Sequence, residues 1–107
     1  MKSSLSNPYN NRQWRKLRLS HLQSNPLCYY CLPNKITEAT QVDHCIPWTD
    51  ENDLMYEEDN LLSTCARCHQ WITGKQRGMD FKGMSFDEAK VYKKTFIWQE
   101  VGEDGYY

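Results

Sequence analysis

Cys28-Tyr29-Tyr30-Cys31 and Cys65-Ala66-Arg67-Cys68-His69 are the two stretches whose reading decides the fold. Each C-x-x-C knuckle offers two sulfurs from one tight turn. Two such knuckles close the four-ligand tetrahedral shell that structural zinc prefers. Residues 32–64 between them form a longer insert than a simple zinc ribbon carries, so the insert must build substructure of its own. One zinc clamping both ends of a β-hairpin meets that need. Metal binding would also supply folding free energy on the order of 10 kcal/mol, as in structural zinc peptides.

Other uses of these thiols fit less well. Met1–Pro8 holds no apolar stretch of signal-peptide length, so an intracellular home is expected, where disulfides are rare. A thioredoxin-like site usually needs one C-x-x-C rather than two. Cys65-Ala66-Arg67-Cys68-His69 also matches the attachment pattern for c-type haem, but that chemistry needs export and an axial ligand. Cys45, the fifth cysteine, reads as a small apolar packing residue outside the zinc set.

With 107 residues, the chain has material for one domain, 1–107, with a modest core that an internal staple would help. A 13% aromatic content argues against disorder, and a mean hydropathy of −0.84 implies a polar surface. No apolar run is long enough to span a bilayer. Net charge is −1, so the total does not announce a nucleic-acid binder. The distribution is more informative. Arg12, Arg15, Lys16 and Arg18 cluster near the start, and Arg67, Lys75, Arg77 and Lys82 follow the second knuckle. Such local patches can hold phosphates even where the total charge cancels, because screening makes binding local. Between them, 50–59 is an acidic loop.

The spacing of Trp14, Leu17, His21 and Leu22 predicts a helix over Asn10–Ser24, capped by Asn10 or Asn11 and ended by Asn25-Pro26. Short strands are expected at Thr40–Cys45 and Leu61–Thr64. A helix is expected over Cys65–Gln76, stopped by Gly78. Ser85-Phe86-Asp87-Glu88 is a capping box that starts a last helix, about 85–99, with Ala89, Tyr92 and Phe96 as its buried stripe. Gly102 to Tyr107 reads as a loose tail. The fold class is therefore α+β: a zinc-stapled ββα core, about 14–77, with flanking N- and C-terminal helices.

Asp43-His44, Asn60 and His69 stand out beside the knuckles. Phosphodiester hydrolysis needs an activated water and a cation that holds charge on the phosphate. Asp and His suit such an ion, and a second, unligated His suits the base near neutral pH. Neighbours on a helix diverge by roughly 100°, so Cys68 can face zinc while His69 faces a second ion. Asp43 and His44 would point to opposite faces of a regular strand, so sharing a site requires the strand to end or bulge there. Singly, each of these residues is more often structural; their joint occurrence in one zinc-clamped insert lifts the functional reading.

From Trp14 to Lys75 the sequence resembles the HNH endonucleases. The resemblance is carried by Asn25-Pro26-Leu27-Cys28-x-x-Cys31, Val42-Asp43-His44-x-x-Pro47, Asp59-Asn60-Leu61-Leu62 and Cys65-x-x-Cys68-His69. Trp14-Arg15-Lys16-Leu17-Arg18 is typical of phage-encoded members. The resemblance implies a metal-dependent DNA endonuclease with a β-hairpin and helix around one catalytic ion. It implies His44 as general base, Asp43 and His69 as ligands of a divalent ion such as Mg²⁺ or Mn²⁺, and Asn60 as the residue fixing the loop that presents His44. Cys28, Cys31, Cys65 and Cys68 would hold structural zinc. The implied partners are DNA, through Arg12, Arg15, Lys16, Arg18, Arg67, Lys75 and Arg77, and a phage terminase. The implied location is cytoplasmic, the host's cytoplasm for a phage-encoded chain. The other class the residues allow is a non-catalytic zinc-stabilised module that binds DNA or protein.

Overall fold

The computed structural model describes residues 8–106 apart from Asp50, with side chains from 9 to 99. The reading of the chain's start falls mostly on Met1–Asn7, outside the described residues, as does Asp50 of the acidic loop. Helix α1 spans Arg12–Ser24, strand β1 Gln41–His44, strand β2 Leu61–Thr64, helix α2 Ala66–Lys75 and helix α3 Phe86–Tyr106. Among the described residues, no helix is long and apolar enough to cross a membrane.

The caps explain where the helices begin. Asn11 accepts the Trp14 backbone N–H at 2.7 Å, which makes it the cap of α1. Asn25, next to Pro26, closes the other end by donating to the His21 carbonyl. Ser85 and Glu88 make the reciprocal capping box, with bonds of 2.8 and 3.1 Å between side chains and backbone.

β1 and β2 pair antiparallel, with Asp43 opposite Leu62 and His44 opposite Leu61. α2 follows β2 directly, giving a ββα unit. The first knuckle is sewn to the unit's edge. Cys28 N–H donates to Thr37 O and Tyr29 N–H to Ser63 O, while Leu27 and Glu38 form an isolated bridge.

Two apolar clusters hold these elements. One gathers Cys28, Tyr30, Cys45, Leu62, Cys68 and Ile72 with Ala89 and Ile97 of α3. The other places Trp14 of α1 against Val42, Met55 and Leu61. α1 and α3 therefore bury different faces of the ββα unit.

Two sequence expectations for the last helix need correction. Its fully buried stripe is Ala89, Lys93 and Ile97, at i, i+4 and i+8. Tyr92 and Phe96 lie on the flank of that stripe and are half-buried, with Tyr92 edge-on to Phe81. The helix also runs through Gly102 to Tyr106 where a loose tail was expected.

Candidate active site

The four knuckle cysteines converge. Their Sγ atoms all lie within 4.8 Å of one another, and those of Cys31 and Cys68 are 3.9 Å apart. Zinc–sulfur bonds of about 2.3 Å set tetrahedral S···S edges of about 3.8 Å, so the cluster fits that ion after a small contraction. Cys28, Cys31 and Cys68 are buried and Cys65 is half-buried. The hydrogen bond with Cys68 pulls the Cys28 thiol down to about 4 against the effect of burial, while burial pushes Cys65 up. Cys45 stands apart, fully buried in the core, with burial raising its thiol to about 12.

Beside this cluster opens a cleft of about 560 Å³, whose lining includes Asp43, His44, His69, Trp14, Tyr9 and Trp48. α2 makes the junction. Its residue 68 faces the sulfur cluster, and residue 69, one step on, faces the cleft. β1 ends at His44, and Asp43 and His44 both line the cavity.

His44 is held on three sides. Its Nε2 lies 3.0 Å from the Met55 carbonyl oxygen, and its ring stacks on Trp14 with centroids 5.2 Å apart and planes 22° apart. The Tyr9 ring meets it edge-on at 6.3 Å. A carbonyl oxygen only accepts, so Nε2 carries the proton and Nδ1 keeps its lone pair. Burial lowers the ring's pKa, with the Met55 bond and Asp43 opposing, so the neutral form is favoured near neutral pH.

Asn60, fully buried, ties down the chain just beyond His44. Its Oδ1 accepts the Ile46 N–H at 2.8 Å, and its Nδ2 donates to Ile46 O at 2.9 Å and Leu54 O at 3.3 Å. Its backbone carbonyl accepts Cys45 N–H. One amide thereby fixes both ends of the connection between the strands.

Asp43 is engaged through one oxygen. Tyr30 Oη donates to Oδ2 at 2.9 Å, and Lys93 Nζ donates to the same atom at 3.1 Å. Lys93 also donates to the His44 carbonyl oxygen. Sequence reasoning missed Lys93, Tyr30 and Met55 as parts of this site. A lysine in a helix reads as a solvated residue, and a backbone carbonyl leaves no mark in a sequence.

Of the basic residues singled out in the sequence, Arg18 lines the cleft and is anchored by a 2.8 Å bond to Thr40 O. Arg15 bonds the Asn10 carbonyl. Arg12, Lys16 and Arg77 are exposed. Lys75 sits over the Trp71 ring, and Arg67 borders a small cavity beside Cys31, Cys65 and Cys68.

A paired strand unit, an attached helix, a four-sulfur cluster and an acid–imidazole cleft define a metal-binding ββα protein. Comparison with known proteins identifies which. The family described as HNH endonuclease matches residues 28–75. The crystal structure of the HNH endonuclease of deep-sea thermophilic bacteriophage GVE2, with manganese ion, is similar at 36% identity and a TM-score of 0.56. That match covers 68% of this chain and 82% of the phage chain. No curated protein matches the sequence. The chain belongs to the HNH endonuclease family.

Proposed function

We propose that the protein hydrolyses phosphodiester bonds in DNA with His44 as general base and a divalent ion held by Asp43 and His69. The observation that carries this reading is that those three residues line one cleft, with His44 fixed by a carbonyl so that Nδ1 is the basic nitrogen. A carboxylate and an imidazole suit a divalent cation of borderline hardness. Such an ion would offset negative charge on the scissile phosphate and the leaving oxygen. The GVE2 enzyme was crystallised with manganese, which agrees with that donor set.

In the proposed step, His44 Nδ1 takes a proton from water as the water oxygen attacks phosphorus in line. The bond to the 3′ oxygen breaks, and the products carry 5′ phosphates. Asp43 and His69 orient the cation, and Asn60 keeps the His44 loop in register. Cys28, Cys31, Cys65 and Cys68 would hold structural zinc, which would fix α2, and with it His69, against the first knuckle.

Arg18 at the cleft, with Arg12, Arg15, Lys16, Arg67, Lys75 and Arg77 farther out, supplies phosphate contacts. The proposal extends to a terminase partner and to action in the host cytoplasm, as expected of a phage-encoded chain. The test is incubation of zinc-loaded protein with supercoiled plasmid, with and without Mg²⁺, Mn²⁺ or Ni²⁺. Nicked or linear product that needs the added ion is the expected result. Intact plasmid under every ion would reduce the chain to a zinc-stabilised binding module.

A further inference from the structure

Lys93 is 0% exposed, an unusual state for a lysine, and it comes from a helix outside the region that the family match covers. Its ammonium has three N–H donors and meets three electron-rich groups: Asp43 Oδ2, the His44 carbonyl oxygen and the Phe81 ring, 5.5 Å to its centroid. Packing alone does not call for this arrangement, since an apolar side chain of similar volume often fills such a site at no loss of stability. Both donors to Asp43, Lys93 and Tyr30, fall on Oδ2. Among the described residues no hydrogen bond falls on Oδ1, and Asp43 lines the cleft.

We infer that Lys93 is a positioning residue for the catalytic centre: from α3 it clamps one oxygen of Asp43 and the backbone of His44, so that the carboxylate presents its other oxygen to the cation. The inference rests on the reading of Asp43 as a cation ligand. It makes α3 part of the active site's framework rather than an appendage. It also has a direct competitor. A lysine that only balanced buried charge would repel a divalent ion, so its removal would tighten cation binding. A lysine that orients the ligand strengthens binding, and its removal weakens it.

Lys93→Met keeps the apolar stem and removes the ammonium. Zinc-loaded protein without DNA is titrated with Mn²⁺, followed by loss of the free-ion electron paramagnetic resonance signal, alongside zinc content and circular dichroism. Lys93→Met is expected to weaken Mn²⁺ binding about 10- to 100-fold, the usual effect of losing a group that orients a metal ligand. The Mn²⁺ concentration for half-maximal plasmid nicking should rise by a similar factor. Lys93→Gln, which keeps a donor without the charge, should recover part of the affinity.

Unchanged or tighter Mn²⁺ binding by folded Lys93→Met overturns the inference. Asp43→Asn distinguishes the two layers: if it binds Mn²⁺ as the wild type does, the ligand reading itself falls and the clamp falls with it. Where Lys93→Met does not fold, Lys93→Gln carries the test. It should bind Mn²⁺ more weakly than the wild type, and wild-type or tighter binding by the folded variant overturns the role given to Lys93.

Discussion

His44 Nε2 meets the Met55 carbonyl oxygen at 3.0 Å, and that contact decides which ring nitrogen can act as a base. With Nε2 donating, Nδ1 has no proton of its own in the neutral ring. His44→Ala should therefore lower the plasmid-cleavage rate about 10²- to 10⁴-fold, the usual range for a general base. Zinc content should stay near wild type, because the ring lies outside the cysteine cluster, while loss of the Trp14 stack and the Met55 bond should lower the thermal midpoint. A purified variant that nicks at the wild-type rate would rule out the assignment.

Asn60 predicts a different phenotype, with stability and activity falling together. Asn60→Ala leaves the Ile46 N–H and carbonyl without their side-chain partners. A fully buried polar group stranded in this way costs about 1–3 kcal/mol, and the half-buried groups of Ile46 cost less each. Calorimetry of zinc-loaded protein should show a drop of several kcal/mol, and nicking should fall because the His44 loop loses its tie. Equal melting temperatures for variant and wild type would show that the amide is not the tie.

The four-sulfur cluster predicts metal-dependent folding. Elemental analysis should find one zinc per chain, and a strong chelator should abolish the cooperative thermal transition, since apparent zinc-binding free energies of about 10–16 kcal/mol exceed the stability of most small domains. Cys28→Ser should behave like the chelated protein. Cys45→Ala should keep its zinc, because Cys45 lies in the apolar core outside the sulfur cluster. Metal-free protein that melts as the loaded form does would remove zinc from the account of the fold.

What was legible in the sequence was what local rules determine. Asn11, Asn25-Pro26 and Ser85–Glu88 mark helix ends through hydrogen bonds that span a few residues. The paired C-x-x-C spacing names a metal cluster because ligand number and geometry are set by the ion. What could not be read depends on partners distant in the chain. Lys93 and Asp43 are 50 positions apart, and nothing in α3's own pattern marks one of its lysines as buried. The stripe Ala89, Tyr92, Phe96 and the observed Ala89, Lys93, Ile97 differ by a modest rotation about the helix axis. Apolar periodicity favours the former, and only the buried carboxylate of Asp43 selects the latter. Tyr9 and Trp48 escaped notice for the same reason: they reach the cleft wall through a tertiary contact, a 2.6 Å bond from Trp48 Nε1 to Tyr9 Oη.

His21 gives the fold a pH dependence separate from catalysis. It is buried on the inner face of α1, and burial lowers its pKa below 6.5, with Lys90 adding to the shift and Glu58 opposing it. The unfolded chain therefore takes up this proton at a higher pH than the folded one. Above about pH 6.5 both states hold a neutral ring and the group is silent. As pH falls below that value the unfolded state gains a proton first, so stability declines, and the decline ends once the folded ring also protonates. Acid will also loosen zinc from its thiolates, so the useful measurement is a difference. Urea unfolding of wild type and His21→Gln at about pH 7.5 and about pH 5.5 should show a smaller loss of stability for the variant. Identical losses in the two proteins would mean that His21 titrates alike in both states and does not contribute to the acid sensitivity of α1.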